Sequence, residues 1–282
     1  MRYFILTFFV LFFVGCNSAQ PIKSASNLPS SSPASTPTIP AKPKDHKTIH
    51  VVVALCDNKY QGIVPVPAKI GNGDDPANNL YWGAAFGVKS FFKKSNEWAL
   101  IDDQVNPKSP ILERLIFKHK TRAIYLIADA YQGKEIKQST IDFFDFSAGR
   151  KTELIEATVN AKPVSIAIGG DADLVAYVGH DGLMDFSLEK FSSKENDTKR
   201  ETIMLACISK RFFAEPLKAS GAHPLLWTTG LMAPEAYVLK AAIDGWIAIE
   251  TDLQIKSRAA EAYNKYQKCG IRAANNLFAT GW

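Results

Sequence analysis

Two side chains that could act together in catalysis, the imidazole of His180 and the thiol of Cys207, each follow a short apolar run. His180 follows residues 174–178 in a Gly-His-Asp-Gly turn, and Cys207 follows residues 202–206. Short, β-rich apolar runs that end at polar or glycine residues are typical of buried parallel strands. If the two strands are neighbours, both side chains emerge at the carboxyl edge of the sheet, where such folds bind ligands. A thiol and an imidazole at one edge can serve as a nucleophile and its acid/base partner.

The remaining apolar runs predict the elements that must position these two side chains. Residues 50–56 form a clear first strand, and a long loop rich in glycine and proline follows it. Strands that alternate with helices predict an α/β fold, with a mostly parallel sheet flanked by helices on both faces. Further strands are predicted at 98–101, 122–128, 163–168 and 225–228, and helices at 78–94, 111–119, 136–146, 211–219, 234–249 and 253–279, the last broken near residue 270.

The two motifs, in this order and context, resemble those of the caspase–haemoglobinase class of cysteine peptidases, which includes legumain, the gingipains, clostripain and the caspases. The matching blocks are Ala176-Tyr177-Val178-Gly179-His180-Asp181-Gly182 and Ile203-Met204-Leu205-Ala206-Cys207-Ile208-Ser209. The segment Trp227-Thr228-Thr229-Gly230 also resembles the one that borders the substrate cleft in legumain-type members. One difference is Asp181, because the family often has glycine directly after the histidine.

The resemblance implies a caspase-like three-layer sandwich that hydrolyses peptide bonds without a cofactor or a metal. In that mechanism Cys207 attacks the scissile carbonyl and His180 protonates the leaving amine. The backbone N–H groups of Cys207 and of Gly182, or of a neighbour, would line the oxyanion site. The structural alternatives are a buried thiol at a strand end and a turn histidine bonded to the backbone.

The resemblance also places a substrate pocket beside Asp57, Thr228 and Thr229. An acidic group at Asp57 would favour a basic side chain in the residue before the cleaved bond. The alternative for Asp57 is an Asx turn with Asn58. Cys56 ends the first strand, and in the strand order of this family the histidine strand separates it from Cys207. A separation of roughly 9–10 Å exceeds the span of a disulfide, so we expect Cys56 to be a core thiol.

Metal sites are weakly indicated. The four cysteines are Cys16, Cys56, Cys207 and Cys269, no pair has zinc-site spacing, and histidines are few. The loop at 71–75 could bind calcium through its carboxylates, and the acidic pair in residues 170–173 could bind a metal. An ordinary surface loop and a solvated turn are the alternatives.

The N-terminus predicts export. Residues 4–14 are almost wholly apolar, and the following Val14-Gly15-Cys16 matches a bacterial lipoprotein signal. We therefore predict a signal peptide over 1–15, a lipidated Cys16 with a Pro/Ser-rich tether over 16–47, and one folded domain over 48–282. Asn17 resembles the pattern of lipoproteins that diderm bacteria send to the outer membrane. The predicted location is thus the cell envelope, with the membrane contacted through the lipid.

Charge points to no nucleic-acid partner. The formal charge of the chain is +5. Residues 1–47 contribute five basic and one acidic side chain, so a net charge of +1 remains on the domain.

The motifs and the signal sequence together predict a cell-envelope cysteine endopeptidase that acts on peptides or proteins. The main alternative is a non-enzymatic binding lipoprotein that uses the same cleft or the 57–79 loop. Another α/β hydrolase or transferase is disfavoured, because the chain has no Gly-x-Ser-x-Gly elbow and no phosphate-binding glycine loop after a strand.

Overall fold

The computed structural model describes residues 45–282, and the signal peptide and most of the tether predicted above lie outside that range. Ten strands are present in this part of the chain. They are β1 (Lys47–Ala54), β2 (Trp98–Lys108), β3 (Ile111–His119), β4 (Ile124–Tyr131), β5 (Glu153–Val159), β6 (Lys162–Ile168), β7 (Leu174–Val178), β8 (Glu201–Leu205), β9 (His223–Thr228) and β10 (Phe278–Ala279).

Eight of these strands form one sheet in the order β10-β9-β8-β7-β1-β4-β3-β2, and β5 and β6 form a separate hairpin. The five strands from β9 to β4 in that order run parallel, whereas β10, β3 and β2 are antiparallel to their neighbours. The sheet is therefore mostly parallel, as predicted. The chain leaves β1 for β4 on one side and returns to β7 on the other, which opens a crevice at the carboxyl ends of the central strands.

Helices cover both faces of the sheet. They are α1 (Val88–Lys93), α2 (Ile136–Ser147), α3 (Ser209–Ser220), α4 (Ala236–Ile247), α5 (Asp252–Gln267) and α6 (Ile271–Leu277). Because successive side chains of a strand point to opposite faces, Val51 and Val53 of β1 pack with α1, α4 and α5, while Val52 and Ala54 pack with α2 and α3. These three layers confirm the predicted α/β sandwich.

Two predicted helices are wrong. Residues 111–119 form β3, which is buried almost throughout because β2 and β4 flank it and the hairpin of β5 and β6 packs on one face. Its apolar residues therefore lack the alternation that marks a half-buried strand. The helix predicted over 78–94 is confined to Val88–Lys93, and turns precede it. Gly83 in those turns lies so close to the backbone that a Cβ would come within 2.1 Å of the Ala77 carbonyl oxygen.

Most other elements are confirmed. The strands β1, β4, β6, β7, β8 and β9 and the helices α2, α3 and α4 lie within a few residues of their predicted positions, and the last helical region breaks at Gly270, which has φ 87°. The short strand predicted at 98–101 extends to Lys108, and β5 was not predicted. None of the helices in residues 45–282 is both long enough and apolar enough to span a membrane.

A buried group of charges ties the centre of the sheet to the hairpin. Arg114 donates two hydrogen bonds to the Asp129 carboxylate, at 2.6 and 2.8 Å, and a third to Glu153 at 2.7 Å. The Nε2 of His50 lies 3.0 Å from the same Asp129 carboxylate. Burial by itself would raise the pKa of Asp129, but the hydrogen bonds from Arg114 and His50 outweigh it and lower that pKa to about 2.

Candidate active site

The register of two parallel strands brings His180 and Cys207 together. Val178 of β7 pairs with Leu205 of β8, and the Gly179 N–H donates to the Leu205 carbonyl at 3.2 Å. His180 and Cys207 therefore each lie two residues beyond the same rung of the ladder, where neighbouring strands are about 5 Å apart. Both residues line one cavity of about 400 Å³ at the carboxyl edge of the sheet. The two residues thus emerge at the same carboxyl edge, as expected if their strands are neighbours.

An aspartate orients the imidazole of His180. A 3₁₀ turn over Gly182–Met184 brings Asp185 back toward the strand end, and its Oδ2 lies 2.8 Å from the Nε2 of His180. The same oxygen accepts the Gly62 N–H at 2.8 Å, which anchors the loop that follows β1. Because an ionised carboxylate only accepts, Nε2 carries the proton when the imidazole is neutral. The lone pair then lies on Nδ1, where it can accept a proton.

Cys207 lies between the end of β8 and the beginning of α3. Ile208, the residue before the helix, has φ 50°, which is a strained conformation for a β-branched side chain. The thiol is half-buried, and the Met232 N–H lies 3.5 Å from Sγ. Burial raises the pKa of Cys207, the contact with Met232 lowers it, and the Asp181 carboxylate raises it further. The resting thiol is therefore protonated at neutral pH.

Asp181, the residue that departs from the family pattern, is fully buried beside the site. One of its oxygens accepts the Leu183 N–H at 3.0 Å and caps the 3₁₀ turn, while Oδ2 has no hydrogen-bond partner within residues 45–282. Burial raises its pKa to about 7, and the nearby Asp185 carboxylate adds to that rise. Asp181 is thus neutral below about pH 7 and becomes a buried negative charge above it.

Two segments distant in the sequence form the walls of the cavity. Residues 62–66 and residues 231–235 both line it, together with Leu80, Tyr81 and Met184. Large apolar side chains are exposed at this site, with Val64 at 87%, Leu231 at 71% and Met184 at 42% of their full exposure. A concave, mostly apolar cavity with a few polar groups is the usual form of a ligand site.

The backbone at the carboxyl end of β1 is held by a side chain from the loop that follows it. The Asn79 side chain accepts the Cys56 N–H at 3.0 Å and donates to its carbonyl at 2.8 Å, so that one amide fixes the backbone at the strand end. Burial raises the pKa of Cys56 to about 11, and the neighbouring Tyr81 hydroxyl partly offsets that rise. Cys56 is a fully buried thiol, in agreement with the expected core role. The histidine strand β7 lies between β1 and β8, also as expected.

The other predicted site residues lie elsewhere. The residues that line the cavity do not include Asp57, Gly182, Thr228 or Thr229. Asp57 forms the alternative Asx-type turn, since its Oδ1 accepts the N–H groups of Lys59 and Tyr60. Gly182 is buried, and a Cβ there would meet the Phe186 ring at 2.7 Å, so packing explains the glycine.

The two threonines hold the ends of secondary-structure elements. The Thr228 hydroxyl donates to the Ala206 carbonyl and lies 3.1 Å from the Ser209 hydroxyl, which joins β9 to the start of α3. The Thr229 hydroxyl donates to the Asn276 carbonyl at 2.7 Å and secures α6. Thr228 therefore supports the strand that ends before Cys207, and Thr229 joins the end of β9 to α6.

Asp185 and the two walls were not anticipated from the sequence. The only available signal for Asp185 was an acidic residue shortly after the histidine turn. The long loop after β1 was expected beside the cleft, and residues 62–66 indeed contribute one wall. No local sequence pattern predicts that this loop and residues 231–235 line the same cavity, because the strand order brings the two segments together.

The metal alternatives gain no support. Within residues 45–282, no group of three or more His, Cys, Asp or Glu side chains is placed to hold a metal ion. In the glycine-rich loop, the Asn72 side chain accepts the Asp74 N–H at 3.0 Å, as in an ordinary Asx turn. In the acidic pair, Asp173 accepts the Thr48 N–H at 2.7 Å and joins β1 to β7.

A second depression lies away from the imidazole and the thiol. It has a volume of about 570 Å³, is open to solvent, and is lined by charged and polar residues of α2 together with residues 188–193. It contains neither a cysteine nor a histidine. The smaller cavity at His180 and Cys207 is therefore the better candidate for chemistry.

No protein-family model, no curated protein and no solved structure matches this chain. The geometry of the site and the two motifs therefore provide the basis for a functional proposal.

Proposed function

We propose that this chain is a cysteine peptidase in which Cys207 is the nucleophile and His180 the acid/base group, as in the caspase–haemoglobinase class. The observation that supports it best is that a half-buried thiol and a carboxylate-bound imidazole each lie two residues beyond the same rung of two parallel strands and line one cavity. Such a nucleophile, base and orienting group are the recurring parts of covalent catalysis.

The chemistry would proceed by acyl transfer. Sγ of Cys207 attacks the carbonyl carbon of the peptide bond while its proton passes to Nδ1 of His180. The C–N bond then breaks, and His180 returns the proton to the leaving amine, which leaves a thioester on Cys207. A water molecule next gives a proton to His180 and attacks the thioester. The C–S bond then breaks, the carboxylic acid is released, and His180 returns the proton to Sγ, which restores the thiol. No cofactor takes part in this scheme.

Asp185 would act as a positioning residue. Its carboxylate holds Nε2 of His180 at 2.8 Å, which selects the tautomer whose Nδ1 can accept the thiol proton. Since the pKa of Cys207 is raised by burial, proton transfer to an oriented imidazole is the route by which the thiol becomes nucleophilic.

The raised pKa of Cys207 and the apolar cavity also favour a second candidate, in which the same cavity binds an apolar segment without hydrolysing it. The two candidates differ in the reactivity of the thiol. In a peptidase, Cys207 must react with an alkylating agent in the folded protein, and its reaction must depend on His180.

The test compares the wild type with Cys207→Ala and His180→Ala on a mixed fluorogenic peptide library, and locates iodoacetamide adducts by peptide mass mapping. Cleavage that both substitutions abolish, together with an adduct on Cys207, is the expected result. Absence of cleavage with an inert Cys207 would leave only the binding function.

Matched controls are available in the same chain. Cys269 is an exposed free thiol, and His223 pairs with Asp252 at 2.7 Å at the amino end of β9, the opposite edge of the sheet. Cys269→Ala and His223→Ala should therefore retain activity. If His223→Ala were as inactive as His180→Ala, the loss of activity in both variants would be explained by disturbed folding and not by loss of a catalytic group.

We also propose that a lipid on Cys16 holds the protein in the cell envelope, in the outer membrane if the host is diderm. The support is the sequence motif alone, since Cys16 lies outside the described residues. Cys16→Ala should abolish incorporation of labelled palmitate and move the protein from the membrane fraction to the soluble fraction. Unchanged fractionation would refute the anchor.

A further inference from the structure

We infer that the substrate residue immediately before the cleaved bond carries a large apolar side chain, which packs between residues 62–66 and residues 231–235. This inference rests on the proposed function, because it concerns the specificity of the same cavity. It replaces the preference for a basic residue that an acidic pocket at Asp57 would have given.

The chemistry of the two walls is the first reason. Ile63, Val64 and Val66 form one wall, and Leu231, Met232 and Pro234 form the other. Val64 and Leu231 are mostly exposed although they are large and apolar. Exposed apolar side chains that converge on one cavity mark a binding surface, in contrast to those scattered singly over a protein. An apolar ligand side chain would remove both walls from water.

The position of the reactive groups is the second reason. Cys207 and His180 line the same cavity as the two walls, and Met232 contacts the sulfur directly through its N–H. A side chain bound between the walls therefore belongs to a residue whose carbonyl carbon can reach Sγ. The volume of about 400 Å³ accommodates a large side chain together with part of the adjoining peptide.

Charge disfavours the two other classes of side chain. Glu235 is the one carboxylate among the described residues that line the cavity, and it accepts a hydrogen bond from the Gln267 amide at 3.0 Å. An acidic substrate side chain would face a like charge there. A basic side chain would gain one carboxylate that is already hydrogen-bonded, and would lose its hydration against apolar walls. The expected order of preference is apolar, then basic, then acidic.

The experiment measures kcat/KM for full-length protein on peptides that differ only in the residue before the cut. Leucine, methionine and phenylalanine should exceed lysine, arginine, asparagine and aspartate by roughly 10- to 100-fold. The rates at which peptidyl chloromethyl ketones with leucine or lysine alkylate Cys207 give the same comparison without turnover, and the leucine reagent should react faster by a similar factor.

Wall variants test where the side chain binds. Val64→Glu should lower cleavage after leucine and raise cleavage after lysine, because it places a carboxylate on an apolar wall. Val105→Glu is the matched control, since Val105 is an exposed valine of β2 (74% exposed) that does not line the cavity. It should leave the preference unchanged. Glu235→Gln should specifically increase cleavage after aspartate.

The possible failures are distinguishable. Cleavage that requires Cys207 but prefers lysine, arginine, asparagine or aspartate would overturn this inference and leave the proposed function intact. Equal effects of Val64→Glu and Val105→Glu would also overturn it. No cleavage of any peptide, with Cys207 inert to both chloromethyl ketones, would overturn the proposed function and the inference together.

Discussion

Replacing Asp181 with asparagine should change how the stability of the protein depends on pH. Asp181 is fully buried, and one of its carboxyl oxygens has no partner within residues 45–282. Burial raises its pKa from 3.8 to about 7. The unfolded chain releases this proton near pH 4, whereas the folded chain holds it until about pH 7.

The size and sign of the effect follow from that difference. A carboxyl group whose pKa is higher in the folded state destabilises the fold progressively as the pH rises from the unfolded pKa to the folded pKa, and no further. At about 1.4 kcal/mol for each pH unit, the rise from 3.8 to about 7 corresponds to a cost of up to about 4 kcal/mol at pH 8. Asparagine can still accept the Leu183 N–H and carries no charge, so the cost should vanish.

Urea unfolding at several pH values between 4 and 8 provides the measurement. Asp181→Asn should match the wild type in free energy of unfolding near pH 4 and exceed it increasingly toward pH 8. Asp197→Asn is the control, because Asp197 is fully exposed and should leave the profile almost unchanged. Parallel profiles for Asp181→Asn and the wild type would refute the reasoning, as would lower stability of the variant at pH 8.

The same substitution should affect the thiol. The Asp181 carboxylate is one of the groups that raise the pKa of Cys207, after burial itself. Asp181→Asn should therefore shift the pH profile of iodoacetamide reaction at Cys207 to lower pH. An unshifted profile would mean that Asp181 and Cys207 do not interact electrostatically.

Three further substitutions test other parts of the structure. Arg114→Met should lower the free energy of unfolding at pH 7 by about 3–5 kcal/mol, because it leaves Asp129 buried without its main partner. The double variant Arg114→Met/Asp129→Leu should recover part of that loss. Asp185→Asn should lower kcat on the order of 10²-fold with little change in KM, because it no longer selects the tautomer of His180; an unchanged kcat would remove Asp185 from the mechanism. Ile249→Gly should raise the free energy of unfolding by about 1 kcal/mol. Ile249 is 85% exposed and has φ 59° just after α4, a conformation that glycine adopts without strain. A lower free energy of unfolding would contradict this.

The central part of the site was predictable from the sequence. The strands that end before His180 and Cys207 are short, buried except for Glu201 at the start of β8, and rich in β-branched or apolar residues, and each is closed by a turn. Local composition therefore determined both strands and the points at which the chain leaves the sheet, just before His180 and Cys207. The alternation of strands and helices likewise indicated the α/β class, whereas the neighbouring position of β7 and β8 was only implied by the family resemblance.

Elements whose pattern depends on distant partners were not predictable in the same way. β3 has buried residues on both faces because the hairpin of β5 and β6 covers one of them, so its periodicity does not report a strand. The turns before α1 arise because Asn79 binds the backbone of Cys56 across the loop. In both cases a tertiary contact overrides the local preference.

The lining of the cavity was decided by the tertiary structure alone. The sequence identified a thiol and an imidazole, but it also suggested Asp57 as a pocket residue, whereas the fold turns that carboxylate to its own backbone. The walls at residues 62–66 and 231–235 meet because β9 and β1 lie on either side of β7 and β8. Strand ends are set by local residues, while the surfaces facing them depend on which distant loops the sheet order brings together.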